Sequence, residues 1–146
     1  GFFSCPRQKR LDRKQKLDDE LRSAYRDYFA SVEMLVNHSN VRDAVGSSEY
    51  ILKSKSALNK VMLLSNGNDL EKLTDLLSEA ARLANIISDA NMPDGELDQQ
   101  VFDEASEKVS LHFEERLNSA RKELLGNDAR EVSATIITFF RKRDED

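Results

Sequence analysis

Along most of this chain apolar residues return at steps of three and four, and a few short polar stretches interrupt the rhythm, so the pattern predicts helices separated by turns. Leu17, Leu21, Ala24, Tyr28 and Leu35 line one stripe, and Tyr25, Phe29, Val32 and Val36 widen it. A helix is therefore expected from about residue 8 to about residue 38, with the broad apolar face of a helix packed in a bundle. Its first turns are charged nearly all round and are expected to protrude into solvent. Tyr50, Ile51, Ala57, Leu58, Val61, Met62 and Leu64 predict a second helix with a narrower stripe, over about 47–65. The preceding VRDAVGSS reads equally as a loop or as an additional helical turn.

Leu70, Leu73, Leu77, Ala80, Ala84 and Ile87 alternate steps of three and four, as a seam packed between antiparallel neighbours requires, and give the third helix. Phe102, Ala105, Val109, Phe113, Leu117, Ala120 and Leu124 give a long fourth, over about 96–125, with Glu104 four residues before Lys108 on its wet face. Glycines mark the intervals: Gly46, Gly67, Gly95 and Gly126 stand about one long helix apart. Gly67 is expected to end a helix in the left-handed conformation, and Asn68 with Glu71 to form a capping box for the next. Pro93 and Gly95 suit the second and fourth positions of a type I turn.

Beyond Gly126 the pattern weakens. Asp128 and Glu131 repeat the capping arrangement, and Ala129, Val132, Ile136 and Phe140 share a helical face, which predicts a short fifth helix. TIITFF is rich in β-branched and aromatic residues, so a strand-like or partner-ordered tail is the alternative.

The expected fold is thus all-α: an up-and-down antiparallel four-helix bundle with a protruding N-terminal helix extension and a short fifth C-terminal helix. Residues 1–16 form a basic arm, 17–126 the bundle, and 127–146 the terminal helix with a charged tail. A length of 146 residues suits one domain, and two prolines, five glycines, no tryptophan and a third of the residues charged suit long solvated helices.

Charge changes the picture. The whole chain carries −5, yet Arg7, Lys9, Arg10, Arg13, Lys14 and Lys16 against Asp12 give residues 1–16 a charge of +5, leaving −10 on the remainder. Attraction to phosphate is confined to the N-terminal end. The acidic body, and the absence of aromatic residues among the basic ones, argue against a nucleic-acid partner.

Candidate chemistry is sparse. The two histidines, His38 and His112, fall in different helices, and neither has the upstream glutamate that a Glu-x-x-His metal pair needs; no metal or other cofactor is expected. No GxSxG occurs, no glycine loop suits a phosphate, and the single cysteine, Cys5, has no histidine near it in sequence. No enzymatic activity is expected. One cysteine also excludes an internal disulfide, which is compatible with a reducing compartment.

The opening GFFSCPRQKRLDRKQK carries the functional expectation. GFFSC suits the end of an apolar span, and the cationic run that follows suits its cytoplasmic flank, where each Lys or Arg near an anionic surface contributes about 1 kcal/mol. The cationic six are the expected membrane-surface residues, Cys5 beside them is placed for reversible acylation, and a spanning segment is expected to precede Gly1. A basic arm with no membrane role is the plain alternative. Ile136, Phe139, Phe140 and Arg141 are the expected contacts with a protein partner of unknown identity, and the length of the first helix also suits a homodimer. The resulting expectation is a non-enzymatic helical interaction or signalling module held at the cytoplasmic face of a membrane, or otherwise cytoplasmic. The alternative is a four-helix sensory input domain that binds a small ligand between its helices.

Overall fold

The computed structural model describes residues 6–38, 44–67 and 69–126. They form four helices, α1 (Pro6–His38), α2 (Ala44–Leu64), α3 (Glu71–Ala90) and α4 (Gln99–Leu125), and no strand occurs among the described residues. The described residues are all-helical apart from short connections, as the three- and four-residue spacing requires.

One hydrophobic core joins the four helices. Tyr28, Val32, Leu35 and Val36 of α1 are fully enclosed, together with Val61 of α2, Leu76 and Leu83 of α3 and Val109 of α4. The α3 seam is buried from Leu73 through Ile87, with Leu76 and Leu83 added to the residues that the spacing selects. On α4 the seam from Phe102 to Ala120 also includes Ser106 and Ser110, which are buried beside the apolar residues. Aromatic rings tie α1 to α4: Phe29 meets Tyr28 edge-on at 5.3 Å and Phe113 edge-on at 5.2 Å, the geometry that ring quadrupoles favour. The Tyr28 hydroxyl, deep in the core, donates to the backbone carbonyl of Leu73 at the start of α3.

Several local expectations need correction. Leu17 is 53% exposed, and every residue from 8 to 20 is exposed, so burial on α1 begins at Leu21. The protruding extension is longer than the composition of the first sixteen residues implies. Its helix begins at Pro6, a suitable first helical residue because its missing N–H has no partner there in any helix. Met62 lies on the solvent side of α2. VRDAVGSS is helical from Ala44, so Gly46 sits in the first turn of α2 and not between helices.

The α2–α3 connection also differs. Gly67 does not adopt the left-handed conformation; Asp69 does, with φ of 64°. The residue capping α3 is Leu70, with no side-chain cap, so the expected Asn68–Glu71 capping box does not start this helix; Asn68 itself lies outside the described residues. The next connection follows the sequence closely. Gly95 N–H bonds to Met92 O at 2.8 Å, closing the turn that places Pro93 second and Gly95 fourth. Asp98 then caps α4, its carboxylate accepting from the N–H groups of Gln100 and Val101 at 3.1 and 3.2 Å. The expected fifth helix falls in residues 127–146, outside the described residues.

Candidate functional site

The exposed end of α1 is the strongest charged feature of the described structure. Lys9, Arg10, Arg13, Lys14 and Lys16 are all exposed on it, and Arg7 is the second residue of the same helix. At 3.6 residues per turn, Lys9, Arg13 and Lys16 fall along one stripe, and Arg10 and Lys14 along an adjacent one. The second stripe, continued through Leu17, leads into Leu21, Ala24 and Tyr28. The face of α1 that is buried in the body therefore continues outward as a basic, solvated face.

This placement is electrostatically unfavourable by itself. A helix N-terminus carries the positive end of the macrodipole and is usually accompanied by acidic residues, yet the first turn of α1 contains none. Five exposed cations close to that end repel it and one another, and a neighbouring anionic group relieves both effects. Asp18, Asp19 and Glu20 follow, so the extension is basic at its outer part and acidic where it meets the core.

A second polar cluster ties three elements together below the extension. Tyr25 OH of α1 donates to Glu123 Oε2 of α4 at 3.0 Å, and Ser65, just after α2, donates to the same oxygen at 2.9 Å. Ser65 Oγ in turn accepts from the Gly67 N–H at 2.9 Å. Burial, opposed by the Ser65 hydrogen bond and assisted by the Glu123 charge, pushes the Tyr25 hydroxyl up to about 12. Its proton stays in place at neutral pH, so Tyr25 acts as a hydrogen-bond donor and not as a base. Nothing in the cluster supplies an activated nucleophile.

The third cluster lies between α3 and α4, where His112 Nδ1 stands 2.8 Å from Glu79 Oε2 and Lys108 Nζ 3.7 Å from Glu79 Oε1. His112 is thereby occupied by a carboxylate partner. No grouping of three or more His, Cys, Asp or Glu side chains fit for a metal ion exists among the described residues.

The open spaces lie between helices at the surface. The α1–α2 groove is bordered by Asp27, Lys60 and Leu64, and a groove between α1 and α4 is floored by Phe29, Phe113 and Leu117. Sequence reasoning selected the basic residues but not the Tyr25, Ser65 and Glu123 cluster, whose members are 40 and 98 positions from Tyr25 along the chain. Cys5, Ile136, Phe139, Phe140 and Arg141 lie outside the described residues. No helix among the described residues is long and apolar enough to cross a membrane. No family matches the chain, and no characterised protein and no solved structure shows significant similarity to it.

Proposed function

We propose that the chain is a non-enzymatic helical interaction module held at the cytoplasmic face of a membrane through its N-terminal segment. The observation that carries this is the exposed basic end of α1, which continues the buried face of the helix past the core as a row of solvated cations without acidic residues in the first turn. An anionic headgroup layer complements such a surface, and the acidic body is repelled by the same layer. The body offers its protein contacts on the far side.

The proposal includes an up-and-down antiparallel bundle. Several pairings support it. One α1–α2 groove is lined by Glu20, Ala24 and Asp27 of α1 with Lys60 and Leu64 of α2, while the next is lined by Asp27, Ala30 and Ser31, further along α1, with Lys53, Ala57 and Lys60, earlier in α2. Tyr25 meets Glu123 while Phe29 meets Phe113, a pairing that supports opposite directions for α1 and α4. The connections Ser65–Leu70 and Asn91–Asp98 are short enough to join antiparallel neighbours.

A ligand-binding input domain is the competing assignment. It requires an enclosed space between helices with converging polar groups. The centre is instead filled by Tyr28, Leu35, Leu76 and Leu83, and the open grooves lie at the surface, which favours macromolecular contacts.

The test is co-sedimentation of the full chain with neutral and anionic vesicles at low and high salt. Binding to anionic vesicles that weakens with salt, and that is lost when Lys9, Arg10, Arg13, Lys14 and Lys16 are replaced by Gln, is the expected outcome. Absence of binding to anionic vesicles at low salt overturns the proposal.

A further inference from the structure

The groove between α1 and α4 carries opposite charges at its two ends. Its floor is Phe29 of α1 with Phe113, Leu117 and Leu124 of α4, under about 450 Å³ of space open to solvent. Arg22 and Arg26 of α1 and Arg121 of α4 stand on its rim. Arg121 is two residues from Glu123, the partner of Tyr25, so the three arginines share one end. Glu33 lines the other. Glu114 stands on the same stripe of α4 as Leu117 and Arg121, two turns before Arg121, and it belongs to the acidic end because its neighbour Phe113 meets Phe29.

Four of these charges have no partner within the chain. Among the described residues Arg22, Arg26, Glu33 and Glu114 form no ion pair, and Arg22 and Arg26 are four residues apart, a spacing at which like charges on a helix repel. Arg26 and Glu33 share a face of α1, but two turns, about 10 Å, separate them along it. A second copy of α1 laid antiparallel across the first closes that distance. The midpoint of the pair falls at Phe29 and Ala30, so Arg26 meets Glu33 of the second copy while Glu33 meets its Arg26. Ala30, small and exposed, lets the two backbones approach at that centre. The same rotation sets Glu114 against Arg121 of the second copy, about a centre beside Leu117.

The charges also select the symmetry. A two-fold axis along the helices would lay α1 over α4 of the second copy with its levels unchanged, setting Arg22 and Arg26 against Arg121 and Glu33 against Glu114. Like charges oppose that arrangement. An axis across the helices stacks α1 on α1 and α4 on α4, turning two open grooves into the centre of a four-helix square in which Leu117 and Leu124, half-buried in one chain, are covered.

We infer that the α1–α4 groove is the contact face of a two-fold homodimer, in which α1 runs antiparallel to α1 of the second copy with reciprocal Arg26–Glu33 contacts and the apolar floors meet. The two basic extensions then point in opposite directions, clear of the shared face, so the pairing does not depend on membrane attachment.

The experiment is sedimentation equilibrium of the full chain, native and with single charge reversals. The native chain is expected to show a reversible monomer–dimer equilibrium. Arg26→Glu and Glu33→Arg each set like charges at both reciprocal contacts, and each is expected to raise the dissociation constant on the order of tenfold. Mixed in equal amounts, the two variants are expected to recover the native affinity, because each supplies the charge that the other lacks. Helical circular dichroism checks that both variants are folded; where one is not, Arg26→Gln and Glu33→Gln read the same contacts with a smaller loss. A native chain that stays monomeric up to about 1 mM overturns the proposal. So does a dimer that neither reversal weakens, or one that mixing the folded variants fails to restore.

Discussion

Tyr25 OH stands 3.0 Å from Glu123 Oε2, joining the middle of α1 to the last turn of α4 across 98 positions of sequence. The same carboxylate accepts from Ser65, so one acidic side chain at the end of α4 holds both α1 and the residue that terminates α2. The Gly67 N–H completes the arrangement by bonding to Ser65 Oγ, which orients the serine toward the carboxylate.

Removing the hydroxyl while keeping the ring separates hydrogen bonding from packing. Tyr25→Phe is expected to cost about 1.5–3 kcal/mol, the range for a hydrogen bond to a charged acceptor. Tyr25→Ala, which also empties space beside Phe29, is expected to cost about 3–5 kcal/mol. Denaturant unfolding with an unchanged slope reads both values. Equal losses in the two variants would show that the ring contributes nothing and would contradict the buried position of Tyr25.

Alkaline pH acts on the same residue. Burial is the main cause that raises the Tyr25 hydroxyl to about 12 from its ordinary 10, and burial also raises Tyr28. Both phenols hold their protons more tightly in the folded chain than in the unfolded one. The contribution of Tyr25 to stability is therefore fully present below about pH 10 and is lost as pH rises from there through about 12, and that of Tyr28 is lost in the same direction. The unfolding midpoint is expected to fall steeply in that window, and less steeply in Tyr25→Phe. A flat midpoint across the window contradicts the burial of both hydroxyls.

Gly95 and Gly67 both lie where added carbon meets an oxygen, yet the expected costs differ. A Cβ on Gly95 would approach the backbone oxygens of Asp89 and Ala90 to 2.0 and 2.9 Å, and these belong to the last turn of α3. On Gly67 the nearest atom, at 2.5 Å, is Glu123 Oε1, the end of a side chain that can swing away. Gly95→Ala is expected to cost about 1–3 kcal/mol or more by displacing backbone, and Gly67→Ala no more than the loss of the Tyr25 and Ser65 bonds to Glu123. Thermal unfolding of the two variants, each combined with Glu123→Gln, distinguishes the causes: the Gly67 effect should shrink in the combination and the Gly95 effect should persist.

The helical seams of α3 and α4 were readable because an apolar stripe at steps of three and four has one stable use, burial against other helices. Leu73, Ala80, Phe102 and Val109 are buried for that reason. The Met92–Gly95 turn was readable because Pro93 and Gly95 fix its geometry locally. Leu17 misled because periodicity states which side of a helix is apolar and does not state where a neighbouring helix ends. Gly67 misled in a related way: its lack of a side chain serves the close approach of Glu123, a tertiary demand, while Asp69 supplies the left-handed residue. The basic residues at the start of α1 were legible as a charge run, but their position on a helix continuous with the core depended on the whole of α1. The Tyr25, Ser65 and Glu123 cluster was not legible, since no local spacing relates its members.

The exposed stretch of α1 has a mechanical consequence. From residue 8 to residue 20 the helix rises roughly 20 Å before the first buried side chain, more than twice the screening length of about 8 Å at physiological salt. Under the proposed attachment, a rod of that length standing upright on an anionic layer would carry the acidic body beyond the reach of its repulsion. The same rod would then be a lever: tilting it at residues 8–16 would sweep the helical body through an arc and alter which surfaces the body presents, with no rearrangement of its core.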